Sequence, residues 1–336
     1  TNDFDGIHFT VFGDANIDAR IDSNEICFNL NDGIITSEVV NTGTDARGVG
    51  GIWTNNVISQ NEGNGISLFA SSNNLLIGTT VGTVGRNFIT ENGFNGIEIG
   101  GSGSVTIGGN LIDGNGVNAT FTEIAGVNAG DHAPSLDLIL LNNEITNNLG
   151  DGVEFAIGTG FSGFFSSLTM DGNEVAFNDG RGVDILNRVS NDIQVSMTNN
   201  LISNNFLEGV YIINTSSGTQ TNDNITAVAA GGDPFALDNN GSIFESPNID
   251  IFFDNNEVTA NGVGSAFDAT GVVVRVGTAQ ASTSPFDMGG FADTRAGVRM
   301  TLTNSTILGN QGEDLSFESF VSTVDPNTTA GTWNQT

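Results

Sequence analysis

Short stretches of alternating apolar and polar residues recur along the chain. The clearest are residues 136–140, 193–197, 249–252 and 298–302. Alternation over about four to eight residues predicts a β-strand that buries one face. The sequence therefore predicts many short strands and disfavours helices.

A repeated phrase follows most of these stretches. It reads Asn, any residue, an aliphatic residue, two residues, a second Asn, a short turn, then Gly and an aliphatic residue. One copy contains Asn143, Ile145, Asn148, Gly152 and Val153. The first Asn lies at positions 24, 56, 87, 110, 143, 173, 200 and 256, and Ser305 takes its place in a last copy. Each copy is expected to hold two or three strands.

Stacking of successive copies explains why the phrase repeats. One copy cannot bury its own apolar face, but copies stacked at the strand spacing of about 4.8 Å place like residues on like and form a continuous core. Equivalent Asn side chains would then hydrogen-bond along the stack and satisfy their buried amides. We predict a structural ladder of Asn56, Asn87, Asn110, Asn143, Asn173, Asn200 and Asn256.

On these residues the chain resembles the parallel β-helix repeat family, of the right-handed type found in pectate-lyase-like proteins and in large bacterial surface proteins. The resemblance covers roughly residues 20–315. It implies an all-β fold, a right-handed parallel β-helix solenoid of about nine or more coils. It does not select one function, since the fold hosts lyases, hydrolases, epimerases, adhesins and fibre proteins.

The phrase also suggests how the chain is organised. Residues 21–315 are predicted to form the solenoid, with loop excursions near 213–248 and 277–296 where polar, Gly-rich and Ala-rich stretches interrupt the pattern. Residues 1–20 and 316–336 are predicted to be N- and C-terminal caps or interface segments, because the end coils of a solenoid present open strand edges.

Charge narrows the range of partners. The 336 residues include 39 acidic and 8 basic ones, which gives a formal net charge of −31. Nucleic acid is disfavoured as a partner because its phosphates would be repelled. No uninterrupted apolar segment is long enough for membrane insertion. Cys27 is the only cysteine, so no internal disulfide can form.

The residue after each Gly-aliphatic pair forms an acidic stripe on the predicted outer face of one sheet. It includes Glu98, Glu154 and Asp184. Glu154 and Asp184 fall in consecutive coils with Arg181 nearby, so they are the catalytic candidates if the chain is a polysaccharide lyase or glycoside hydrolase. The alternative is an exposed charged strand. The chain contains no Lys, its arginines stand in no motif that resembles that of a pectate lyase, and the motifs of a polygalacturonase are missing.

Asp-Gly turns raise the question of a metal. Asp151 and Asp179 are candidate calcium ligands through their carboxylates and adjacent carbonyls. The sequence contains neither an EF-hand loop nor tandem calcium nonapeptides, and plain turns explain the same residues. We expect no cofactor and leave Ca²⁺ open.

The regularity of the chain favours a non-enzymatic structural or adhesive module within a large secreted protein of a bacterial surface or extracellular fibre. Its expected location is extracellular, at the cell surface. Its expected partners are copies of itself joined end to end, neighbouring domains of the same polypeptide, or glycans. The alternatives are a polysaccharide-active enzyme with a groove along the acidic stripe and a glycan-binding module.

Overall fold

The computed structural model describes residues 4–13, 15–39, 48–82, 84–118, 124–132, 135–157, 165–187, 192–214, 248–265, 269–276 and 297–319. Within these residues every regular element is a β-strand, and the strands form three parallel sheets of ten, nine and nine strands. Each coil of the chain passes once through each sheet. The predicted all-β parallel solenoid is confirmed.

Sheet 1 contains the strand that follows each Gly of the phrase. Its strands are β1 (Ile7–Phe12), β4 (Ile34–Val39), β7 (Ile66–Leu68), β10 (Ile97–Ile99), β13 (Ala125–His132), β16 (Asp151–Ile157), β19 (Val183–Asn187), β22 (Val210–Asn214), β25 (Val272–Val276) and β28 (Leu315–Ser319).

Sheet 2 contains the alternating stretches that precede each phrase. Its strands are β2 (Ile17–Asp22), β5 (Val49–Thr54), β8 (Ser72–Gly78), β11 (Gly103–Gly108), β14 (Leu136–Leu141), β17 (Phe165–Asp171), β20 (Asp192–Thr198), β23 (Asn248–Asp254) and β26 (Gly297–Thr303).

Sheet 3 contains a three-residue strand between the two Asn positions of each phrase. Its strands are β3 (Glu25–Cys27), β6 (Val57–Ser59), β9 (Phe88–Thr90), β12 (Leu111–Asp113), β15 (Glu144–Thr146), β18 (Glu174–Ala176), β21 (Leu201–Ser203), β24 (Glu257–Thr259) and β27 (Thr306–Leu308).

The core consists of aliphatic columns that run along the stack. In sheet 3 the middle residue of each strand points inward, so Ile58, Ile89, Ile112 and Ile145 stack in register and are buried. Burying each such side chain contributes roughly 1.5–3 kcal/mol. This repetition, rather than any single contact, holds the coils together.

A glycine lies at the start of most strands of sheet 1 because neighbouring coils approach closely there. A Cβ added to Gly182 would lie 2.5 Å from the carbonyl oxygen of Gly209 in the next coil and 2.5 Å from Ile202 Cγ2. Any side chain at this point would push the coils apart.

The predicted segments map onto the fold as follows. Residues 1–20 contain β1 and the start of β2, which are the first strands of their sheets. Residues 316–319 belong to β28, and 320–336 lie outside the described residues. Most of the two predicted excursions, 215–247 and 277–296, also lies outside them.

Candidate functional site

The first Asn of each phrase lies in one continuous column at the corner between sheets 2 and 3. Asn143 illustrates the geometry. Its backbone N–H and its Nδ2 both donate to Asn173 Oδ1, at 3.0 and 2.9 Å, and Nδ2 also donates to the Ile107 carbonyl at 2.8 Å. The column runs through Asn24, Asn56, Asn87, Asn110, Asn143, Asn173, Asn200 and Asn256 to Ser305.

A second Asn column runs parallel to the first at the corner between sheets 3 and 1. Asn148 Nδ2 donates to Asn178 Oδ1 at 2.9 Å and to the Ile112 carbonyl at 3.2 Å. The column contains Asn29, Asn61, Asn92, Asn115, Asn148, Asn178, Asn205, Asn261 and Asn310. The ladder predicted from the sequence contained only the first column, although the second Asn stands at a constant offset from the first in every phrase.

At every position of the two columns but Asn87, the preceding residue has a left-handed backbone. Asn142 and Asn147 have φ of 53° and 55°, and even Phe177 has φ of 59°. Such values are costly for a bulky residue. Buried hydrogen bonds of the following Asn hold the turn in this conformation.

The predicted acidic stripe forms a register column on the outer side of sheet 1. Strand pairing places Glu98 beside Asn128, Asn128 beside Glu154, Glu154 beside Asp184, and Asp184 beside Tyr211. The column is less exposed than alternation suggests, because Asp184 is 3% exposed and Tyr211 5% exposed. The interpretation as an exposed charged strand therefore does not describe these two residues.

The N-terminal half of the stripe is an amide and carboxylate network. Asn64 Nδ2 donates to Ser67 Oγ at 3.0 Å and to Glu98 Oε2 at 2.5 Å. Its backbone N–H donates to Asp32 Oδ1 at 2.7 Å. Burial raises the pKa of both Asp32 and Glu98 above their ordinary values. These carboxyl groups are bound within the stack.

The C-terminal half of the stripe is centred on Arg181. Its Nη1 donates to Asp184 Oδ2 at 2.8 Å and its Nε donates to Glu208 Oε2 at 3.0 Å. Its backbone N–H donates to Asp151 Oδ1 at 2.6 Å. Its guanidinium carbon lies 3.9 Å from the centre of the Tyr211 ring. One arginine therefore connects three successive coils. We call these five residues the Arg181 cluster.

A second arginine extends the cluster. The guanidinium of Arg275 lies 5.1 Å from the Tyr211 ring centre and donates to the Tyr211 hydroxyl. Its Nε and Nη2 donate to the two carboxylate oxygens of Glu318 at 2.8 and 3.3 Å. Tyr211 thus has two cations near its ring, an arrangement that is favourable because the ring face is electron-rich.

Sequence reasoning missed Glu208 and Glu318 as members of this network. Glu208 precedes Gly209 just as Asp151 and Arg181 precede their glycines, so aligning that position would have found it. Glu318 lies in register with Arg275, and the opposite charges at these two equivalent positions were its only signal.

Titration in the cluster is strongly perturbed. Burial, and then repulsion from Asp184, raises the pKa of Asp151 to about 8, although Arg181 opposes the shift. Burial tends to lower the pKa of Arg181, but Asp184, Asp151 and Glu208 outweigh it and raise that pKa. Burial also raises the pKa of Tyr211. Burial and the neighbouring Asp184 carboxylate thus favour the protonated form of Asp151.

The structure brings the three catalytic candidates close together, and two of them, Arg181 and Asp184, form an ion pair. Glu154 and Asp184 are register partners on adjacent strands, a spacing of about 4.8 Å. Asp184 is paired with Arg181 and is nearly inaccessible. Glu154, by contrast, is only partly buried.

The two calcium candidates, Asp151 and Asp179, have different surroundings. Asp151 Oδ1 accepts the Arg181 N–H, whereas Asp179 is exposed and its backbone N–H donates to the Asn148 carbonyl. Over the described residues, no group of three or more acids, histidines or cysteines gathers around a potential ion. In the same part of the chain, no helix is long and apolar enough to cross a membrane.

Comparison with known proteins supports the fold and leaves the activity open. A family model described as "right handed beta helix region" matches residues 5–226, about two thirds of the chain. Comparisons with curated proteins and with solved structures found no significant match. The stacked parallel sheets and this match together identify the chain as a member of the right-handed β-helix family.

Proposed function

We propose that this chain is a non-enzymatic structural or adhesive module, a rod within a larger secreted protein of a bacterial surface or extracellular fibre. The observation that supports this most is that both Asn columns continue through every described coil. Each interior Asn amide is satisfied by the neighbouring coils, as at Asn143 and Asn148. A chain organised in this way resists separation of its coils.

The state of the acidic stripe supports the same proposal. A glycoside hydrolase needs two carboxyl groups that reach the substrate. Here Asp184 is held by Arg181 at 2.8 Å and Asp151 is bonded to the backbone of the next coil. Asp151 thus joins two coils, Asp184 is paired with Arg181 within its own coil, and Glu154 is partly buried.

The last described coil supports a role as a connecting element. Inward-facing residues of the interior coils are buried, such as Phe253 and Val274, but their counterparts Leu302 and Phe317 in the last described coil are 38% and 56% exposed. Exposed apolar area and open strand edges favour contact with further β-structure. We propose neighbouring domains of the same polypeptide or further copies of the chain as that partner.

Glycan assays separate this proposal from its rivals. The purified chain is incubated with uronate-containing and neutral polysaccharides, and both cleavage products and retention on immobilised glycans are measured. We expect no cleavage. We also expect retention on the glycans to be the same in Glu154→Gln and Asp184→Asn as in the wild type. Cleavage that is abolished by Glu154→Gln and by Asp184→Asn, but not by the control Glu174→Gln on sheet 3, would establish an enzyme instead. Retention without cleavage would assign a glycan-binding module.

Light scattering on the same protein tests self-association. Copies that join end to end should give a mass that rises with concentration. A constant monomer mass, with and without Ca²⁺, would exclude copies of the chain as the partner and leave neighbouring domains.

A further inference from the structure

Three polar side chains meet on the outer face of sheet 1 at the start of the stack. His8 Nε2 lies 2.9 Å from Ser37 Oγ, and His8 Nδ1 lies 3.3 Å from Asp5 Oδ2. His8 and Ser37 stand diagonally across strands β1 and β4, because the register partner of Ser37 is Thr10. A carboxylate, an imidazole and a hydroxyl in this order form the arrangement that activates a nucleophilic serine.

The next coil holds Asp5 in place. Asp5 Oδ1 accepts hydrogen bonds from Asn31 Nδ2 at 2.6 Å and from the backbone N–H of Asp32 at 3.3 Å. The Asp5 side chain is only 10% exposed, and its other oxygen, Oδ2, is the one that lies near His8. A carboxylate that is fixed through one oxygen can orient an imidazole through the other.

Asp5 favours one tautomer of His8. A carboxylate only accepts hydrogen bonds, so it favours the tautomer that carries its N–H at Nδ1, which leaves a lone pair at Nε2. The Ser37 hydroxyl has one proton and two neighbouring acceptors, His8 Nε2 at 2.9 Å and Thr10 Oγ1 at 3.4 Å. Because the contact with His8 is the shorter one, His8 is the general base within reach of Ser37 Oγ.

The histidine and the serine are accessible from solvent. The His8 side chain is 47% exposed and Ser37 is partly exposed. Apolar side chains share this face, since Ile35 is the register partner of His8 and Phe12, two residues beyond Thr10, is exposed. Such surroundings suit a small apolar acyl group better than a charged one.

We propose that Ser37, His8 and Asp5 form a nucleophilic centre that accepts the acyl group of a carboxylic ester with a small apolar acyl chain. Ser37 Oγ bonds to the ester carbonyl carbon while its proton passes to His8 Nε2, and the Thr10 hydroxyl donates to the developing oxyanion. The bond to the leaving oxygen then breaks, and that oxygen takes the proton from His8 and departs as an alcohol. The product is an ester of Ser37, a covalent attachment that adds to the proposed structural role and does not depend on it.

Covalent labelling tests the centre in the whole chain. The protein is treated with a fluorophosphonate probe, or with p-nitrophenyl acetate, and the modified residue is located by peptide mass mapping. Both reagents should modify Ser37. His8→Gln keeps a hydrogen-bonding group but cannot take the proton, so the labelling rate should fall at least about a hundred-fold. Ser196, an outward serine of β20 whose register partners are Thr169 and Phe252, is the control and should stay unmodified.

Asp5 is a positioning residue, because it acts through His8. Asp5→Asn keeps an oxygen for the bonds from the next coil but turns an amide N–H toward His8, so labelling should fall at least about ten-fold. Asp5→Glu, which keeps the carboxylate, should recover labelling. Hydrogen exchange of β1 and β4 should be unchanged in each variant, which separates lost reactivity from lost structure.

Two results would overturn the proposal. One is a wild-type protein in which Ser37 is labelled no faster than Ser196, as expected of an ordinary surface serine. The other is labelling of Ser37 that persists in His8→Gln, or that falls in Asp5→Asn only together with the protection of β1 and β4. Either result would leave the Asn columns and the proposed structural role unaffected.

Discussion

Replacement of Asn173 by alanine tests how much the hydrogen bonds of the Asn columns stabilise the stack. Asn173 Oδ1 accepts hydrogen bonds from the backbone N–H and Nδ2 of Asn143, and its own Nδ2 donates to Asn200 Oδ1 and to the Leu140 carbonyl. Asn173→Ala removes all four. At about 1 kcal/mol net for each buried hydrogen bond, the loss is about 4 kcal/mol.

Native-state hydrogen exchange is the appropriate assay, because a stacked array does not unfold as one two-state unit. The opening free energy of strands β17, β18 and β20 should fall by about 4 kcal/mol in Asn173→Ala, while that of β2 and β5 should stay unchanged. The neighbouring Glu174→Gln is the matched control, with an expected change within about 0.5 kcal/mol. An Asn173→Ala effect no larger than the control would refute the argument that the amides stabilise the stack.

Three further predictions concern other parts of the fold. Gly182→Ala should lower the opening free energy of β19 and β22 by roughly 1–3 kcal/mol, since its Cβ would meet the Gly209 carbonyl oxygen at 2.5 Å; hydrogen exchange of these strands checks this, and unchanged protection contradicts it. Tyr211→Leu keeps apolar bulk but removes both cation–π contacts, which should cost roughly 1–2 kcal/mol; hydrogen exchange of β22 and β25 measures it, and full protection would contradict it. Hydrogen bonds, the largest from Asn55, lower the pKa of Asp22 to about 2, so its stabilisation is present above pH 4 and lost toward pH 2; thermal unfolding against pH should show a smaller acid loss in Asp22→Asn, and identical curves would count against it.

The columns of the fold were readable from sequence because each phrase fixes its own register. Three features recur at set offsets in each phrase: a buried Asn, an inward aliphatic residue such as Ile145, and an obligatory Gly such as Gly182. Neighbouring coils therefore stack in only one register. One step of slippage would expose an aliphatic column and bury a polar one. The order of strands in three sheets follows directly from that constraint.

Only part of the Arg181 cluster could be predicted from the sequence, and the reason is physical. Alternation assigns Asp184 and Tyr211 to the outer side of sheet 1 but says nothing about how closely that side is covered. Whether Arg181 turns toward Asp184, Glu208 or solvent depends on the reach of a long side chain across three coils. Such contacts link different register columns, and no repeat in the sequence encodes them.

Register between coils can be tested directly by engineered disulfides on the outer face of sheet 2. Thr169 and Ser196 are register partners on β17 and β20, whereas Thr198 is two residues out of register with Thr169. Partners on neighbouring strands lie about 4.8 Å apart, within the reach of a disulfide, while the offset pair is about 8 Å apart and beyond it. In a Cys27→Ser background, Thr169→Cys with Ser196→Cys should crosslink under mild oxidation and Thr169→Cys with Thr198→Cys should not. Efficient crosslinking of the offset pair, with none in the registered pair, would contradict the stacked coils on which the account rests.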